Sequence, residues 1–198
     1  MRIIKLIGVV IASLSLALPA SVSNANATYN DVDKLVQKGF AGVLSQTEID
    51  YLIKEYPDIA QLIPDNSSKP VLTVMEKVEG SPKAGSGCKT TTGTVSRNNL
   101  SGQPIYTFSS SVYWCWDLGA VIQINNPTGH LAQIASGATY NGEISNYTSA
   151  TGGSTGSATI MWQVTIGASY FGSLTVSHPR IDFSLYGNGV ASVSTQNM

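Results

Sequence analysis

The chain has 198 residues, with 11 Lys and Arg against 12 Asp and Glu, and a formal charge of −1. Residues 90–198 hold five charged side chains, Arg97, Asp117, Glu143, Arg180 and Asp182, among short alternating runs of Ser, Thr, Gly, Asn, Tyr and aliphatic residues. Such a chain lacks the basic cluster that neutralises nucleic-acid phosphates or an anionic membrane surface, and it is too rich in β-branched residues for a disordered segment.

The N-terminus reads as an export signal. Arg2 and Lys5 precede an uncharged apolar run from Leu6 to Leu18, Pro19 breaks it, and Ala25-Asn26-Ala27 supplies a small-x-small cleavage pattern. An apolar helix of that length spans about 20 Å, short of a hydrocarbon core of roughly 30 Å. Residues 1–27 are therefore expected to be a signal peptide, with Thr28 as the first mature residue. No later segment is apolar enough to span a membrane. Losing Arg2 and Lys5 leaves nine basic against twelve acidic residues, so no nucleic-acid partner is expected.

Residues 28–65 read as a helical segment. Val32, Leu35, Val36, Phe40 and Val43 recur at three- and four-residue spacing. Ser45-Gln46-Thr47-Glu48 is a capping box; Ile49, Leu52, Ile53 and Tyr56 form the next apolar face, and Pro57 ends or bends the helix. Its distinct charge leaves two alternatives open, a propeptide or a part of the mature fold. Residues 66–87 read as a linker with one strand around Val71–Val78 and a flexible joint at 80–87 (GSPKAGSG).

From Cys88 the period changes to two. Strands are expected at 90–97, 105–110, 112–117, 120–125, 131–135, 138–144, 158–166, 170–176, 181–186 and 190–194, with a Gly/Ser/Thr loop at 148–157 and a hairpin turn at Gly187-Asn188-Gly189. The expected fold is mainly β: an antiparallel β-sandwich or barrel over 88–198, preceded by the short helical N-terminal segment. Cys88 and Cys115, an even pair in a chain marked for export, are expected to form a disulfide. Closing a loop of roughly 28 residues would stabilise the fold by about 3–4 kcal/mol.

Tyr113-Trp114-Cys115-Trp116-Asp117 is the most distinctive segment. In a strand, Trp114 and Trp116 share one face and Tyr113, Cys115 and Asp117 share the other. If Cys115 points to the core, the two rings form an outward platform able to stack on sugar or on a partner; the alternative is that both faces are covered. No nucleophile elbow, zinc-protease helix or phosphate loop is present. His130 and His178 sit at turns, and a glycosidase pair would have to come from Asp117, Glu143 and Asp182. Asp182 beside Arg180 suits an ion pair better. No catalytic residue, metal site or cofactor is assigned.

Tyr113–Asp117, together with the ending His178-Pro179-Arg180-Ile181-Asp182 and Gly187-Asn188-Gly189, resembles a group of small secreted proteins of Gram-positive bacteria. These carry a Trp-Cys-aromatic-Asp motif and a terminal Pro-x-Ile…Gly-x-Gly strand pair. In this chain Leu118 separates Asp117 from Gly119, and the additional cysteines of the group are missing. The resemblance covers residues 88–194 and implies export and a β fold, with no transferable site. The resulting expectation is a secreted, non-enzymatic bacterial protein that binds a cell-wall glycan or an extracellular protein. Its alternatives are a toxin, antibacterial protein or hydrolase inhibitor, for which 158–166 with 170–176 is the candidate membrane hairpin, and a hydrolase with an unrecognised site.

Overall fold

The computed structural model describes residues 22–67, 69–168 and 173–197. Residues 1–21, with the basic and apolar parts of the expected export signal, lie outside the described residues. So do residues 169–172, where the expected strand at 170–176 begins.

Among the described residues three helices come first: α1 Val22–Phe40, α2 Gln46–Glu55 and α3 Pro57–Ala60. α1 runs through the expected cleavage position after Ala27. α2 starts where the capping box predicts. Ser45 Oγ accepts from the Glu48 amide at 3.4 Å, and Glu48 Oε2 accepts from the Ser45 amide at 2.9 Å. Pro57 opens α3 at its first turn, where a missing N–H costs nothing. The apolar faces close on one another as a small cluster of Val32, Val36, Leu52, Ala60 and Ile63. Among the described residues no helix is long and apolar enough to cross a membrane.

Among the described residues ten strands follow, in two antiparallel sheets. The first holds β1 Val71–Lys83, β2 Ser86–Asn98, β3 Pro104–Asp117, β4 Ala120–Ile124 and β5 Thr128–Ile134. The second holds β6 Ala138–Thr148, β7 Thr155–Ala168, β8 Ser173–Ser177, β9 Pro179–Tyr186 and β10 Ala191–Asn197. Their orders are β1-β2-β3-β4 with β5 also on β3, and β10-β9-β7-β6 with β8 also on β7. In each sheet one long strand is flanked on one side by two short strands laid end to end. A proline marks each break, Pro127 just before β5 and Pro179 as the first residue of β9, positions where a missing N–H is tolerated.

Three expectations change here. The joint at 80–87 is instead the end of β1, a turn at Ala84-Gly85 and the start of β2, because Val71–Glu79 of β1 pair in register along β2 and, after a shift in register, Lys83 pairs with Ser86. The strands expected at 105–110 and 112–117 are one strand, since Ser111 pairs with Thr92 on one side and Thr128 on the other. The loop at 148–157 contracts to 149–154 between β6 and β7.

The sheets pack face to face as a sandwich. Val95, Ile105, Tyr106, Phe108, Val112, Trp114 and Val121 from the first meet Ile160, Trp162, Val164, Ile181, Phe183 and Leu185 from the second. Phe108 stacks on Trp162 with ring centroids 4.7 Å apart. The β3–β4 hairpin turns through Leu118 and Gly119, both at positive φ (46° and 87°), the geometry of a two-residue primed turn. Leu118 is an exposed leucine in a conformation that glycine or asparagine would adopt more cheaply.

The helical segment is fixed to the sandwich through the β2–β3 loop. Buried Asn99 donates from Nδ2 to the Gln61 carbonyl at 3.1 Å, while its Oδ1 accepts from the Ser101 and Gln103 amides. Asp65 donates its amide to the Asn98 carbonyl, and Leu100 donates to Ile63. Asn99→Ala would remove three hydrogen bonds to partly buried backbone groups and is expected to cost about 2–4 kcal/mol, at about 0.5–1.5 kcal/mol per bond. Denaturant unfolding measures the loss, and limited proteolysis should show cuts appearing first near residues 61–70.

A second prediction concerns acid. Glu48 is lowered from 4.5 to about 2, chiefly by the hydrogen bond from Lys38 and then by those from Ser45. A carboxylate depressed in the folded state contributes stability that is complete above its unfolded value and is lost as pH falls toward the folded one. The α1–α2 contact should therefore loosen between pH 4.5 and 2. An NMR titration of the Glu48 carboxyl should find its midpoint near 2, and Glu48→Gln should flatten the acid limb of helix melting.

Candidate functional site

In β3 the even-numbered residues Tyr106, Phe108, Ser110, Val112 and Trp114 are buried in the sandwich core. Parity then sends Tyr113 and Cys115 to the outer face. The disulfide forms as expected, since Cys88 and Cys115 are directly opposed across β2 and β3 and their Cα atoms lie 4.0 Å apart. It lies on the outer face, however, and the tryptophans face inward. Of the two alternatives for this pair, the covered one holds for Trp114, which is 0% exposed and cannot present a ring for stacking. Trp116 is partly buried, packed against the core and against Gly189, where a Cβ would come within 2.7 Å of its ring.

The tryptophans have a third partner that the sequence did not reveal. Lys89, opposite Trp114 in the ladder, has a side chain only 5% exposed, with Nζ 2.7 Å from Glu76 Oε1. The ammonium lies 5.2 Å from the Trp114 ring centroid and 5.9 Å from that of Trp116, within cation–π range. Trp114 donates from Nε1 to Thr91 Oγ1 at 3.0 Å. The cluster thus ties the edge strand β1, through Glu76, to the core of β2 and β3.

The outer face of the first sheet points away from the second sheet. Thr92, Thr94 and Ser96 of β2 meet Ser111, Ser109 and Thr107 of β3 in three successive hydroxyl pairs, at 2.7, 3.1 and 2.9 Å between Oγ atoms. Thr90 and Tyr113 continue the rows toward the disulfide. On the other flank, Thr128 and His130 of β5 stand in register with Ser111 and Ser109 and are exposed. The hydroxyl stretch of these columns carries no carboxylate or ammonium; Asp117 stands beyond the disulfide at the end of the β3 column, and Lys77 and Glu79 lie at the β1 margin and pair with each other at 3.3 Å. The Thr-x-Thr-x-Thr-x-Ser run of β2 was the available signal. Reading strands for apolar alternation passed over it, because the hydroxyls occupy the face away from the core.

The other candidates are dispersed. Asp117, Glu143 and Asp182 sit on β3, β6 and β9, and the first two are exposed. Asp182 Oδ1 accepts from Arg180 Nε at 2.8 Å and from Thr159 Oγ1 at 2.6 Å. The Arg180 guanidinium is pushed up by that bond, so these two residues form the expected ion pair. His178 lies between β8 and β9. Among the described residues, no three His, Cys, Asp or Glu side chains are grouped to hold a metal ion.

The covered tryptophan predicts a stability effect. Trp114→Ala should cost about 3–5 kcal/mol, the range for emptying a buried aromatic site. Trp116→Ala should cost less, because part of that ring is already in water. Trp114→Phe should fall between, through the lost bond to buried Thr91, about 1–3 kcal/mol. Urea unfolding of the three variants gives the order; equal effects for Trp114→Ala and Trp116→Ala would contradict it.

Comparison of the chain with protein-family models, with curated proteins and with solved structures gave no match.

Proposed function

We propose that the chain is an exported bacterial binding protein, without enzymatic activity, that recognises a neutral, hydroxyl-rich polymer such as a cell-wall glycan. The recognition surface is the outer face of its first sheet. The observation that carries this reading is the set of three cross-strand hydroxyl pairs, a stretch of the outer face in which β2 and β3 present no charged side chain. Each Ser or Thr hydroxyl has one donor and two acceptor positions, so a hydroxyl pair that shares one proton still offers a donor and lone pairs outward. Desolvating such a face requires no charge to leave water, which suits a neutral ligand better than an ionic one. The Tyr113 ring at the end of the rows adds an aromatic surface of the kind that packs on sugar rings. Export is supported by the N-terminal pattern of Arg2 to Ala27 and by a disulfide, which persists in oxidising compartments.

The test removes whole pairs, since deleting both partners of a hydrogen bond leaves nothing unsatisfied and is nearly neutral for folding. The quadruple variant Thr92→Val, Thr94→Val, Ser109→Ala, Ser111→Ala should keep its melting temperature within about 5 °C, a change of roughly 1–2 kcal/mol. Its retention on insoluble cell-wall polysaccharide should fall by about 10- to 100-fold, at about 0.5–1.5 kcal/mol for each hydrogen bond lost to the ligand. Unchanged retention in a folded variant would overturn the assignment of this face.

A further inference from the structure

A second site lies at the other end of the molecule's chemistry, where a charged side chain meets an apolar space. The helical segment covers one end of the sandwich incompletely and leaves a cavity of about 180 Å³. Phe40, Ile166 and Val176 form its apolar wall, and Arg97, Asn66 and Ser177 supply its polar groups. We propose that this cavity binds a small monocarboxylate with a compact apolar body. The inference stands apart from the glycan reading, because none of these residues belongs to the outer face of the first sheet.

Three observations carry it. The first is orientation. Arg97 continues the inward-facing series Thr91, Gly93, Val95 along β2, so its guanidinium is directed to the end of the inter-sheet space. Asn66 holds it there: the Arg97 guanidinium donates to Asn66 Oδ1, and Asn66 Nδ2 donates to the Gly39 carbonyl at 3.2 Å. Asn66 is a neutral acceptor, so the bond positions the guanidinium without cancelling its charge. A planar fork with five donors fits a carboxylate in the bidentate manner.

The second observation is the wall. Phe40 packs both on the helical cluster and on the sandwich core, and Ile166 is buried. A single cation over an apolar wall suits a monoanion with a hydrocarbon body; a phosphate dianion would call for more than one cation. The third is size. A cavity of roughly 150 Å³ accepts benzene, and pockets for drug-sized ligands begin at about 300 Å³. The space therefore fits an aromatic ring or short branched chain with a carboxylate attached.

Benzoate is the probe and benzamide, its neutral isostere, the control. With the intact protein, benzoate should shift the methyl resonances of Ile166 and Val176 saturably, with a Kd on the order of 1 mM or tighter, within reach of a ligand this small. Benzamide should bind at least tenfold more weakly. Arg97→Met should weaken benzoate tenfold or more and abolish the discrimination. Val176→Phe places a ring at the rim and leaves Arg97 intact; it should also weaken benzoate tenfold or more, with the fold checked by the dispersion of the remaining methyl signals. Equal binding of benzoate and benzamide, no saturable shift, or benzoate binding that survives Val176→Phe in a folded protein would each overturn the proposal.

Discussion

The two sheets approach closely because rings on one find glycines on the other. Trp162 of β7 lies against Gly129 of β5, where a Cβ would come within 2.4 Å of the indole, and it also stacks on the ring of Phe108. Gly93 likewise makes room for Val193 and Ile181, and Gly156 for Ile124. With no side chain at these points, bulky groups from the facing sheet reach the backbone. A methyl group at Gly129 would have to displace a buried tryptophan. The interlock also fixes which face of every strand is inside, and therefore which face is left for recognition.

Once that choice is made, the distribution of charge follows. Charged side chains of the helical segment stand at its surface in local pairs such as Lys38 with Glu48. In the sandwich the few charges are paired or marginal. Lys89 is enclosed by Glu76 and two indole rings, and Arg180 is held by Asp182. With Glu76 at the surface and only Lys89 enclosed, the pair contributes little net stability of its own. The Lys89–Glu76 pair instead specifies where β1 lies over the tryptophans, at the margin of the first sheet. The outer face is left to hydroxyl groups that bond to one another across strands, with Lys77, Glu79 and Asp117 at its margins.

Arg97 stands outside this pattern. It sits where the sandwich core ends and the helical segment begins, and its orientation depends on Asn66, thirty-one residues earlier in the chain. The docking contacts of Asn99, Pro64 and Leu100 that bring the two parts together also create the cavity. Helix docking and the shape of that site are therefore coupled: a change in the β2–β3 loop would be felt at Arg97 without touching it.

Much of the fold could be read from residue order alone. Capping at Ser45 and Glu48, the turn at Gly187-Asn188-Gly189, the alternating strands and the pairing of two cysteines depend on neighbours within a few residues or on there being one partner to choose. The same period of two placed Trp114 and Trp116 on one face and Cys115 on the other. It carried no information on which of those faces is the interior, because inversion of a strand preserves alternation and exchanges inside for outside. Only the packing of the second sheet, with Trp162 and Phe183 arriving opposite even-numbered residues of β3, decided that the tryptophans are core and the disulfide is outer. The burial of Lys89, the hydroxyl rows as a surface, and the meeting of Asn66 with Arg97 were decided in the same way, by contacts between residues that the sequence keeps far apart.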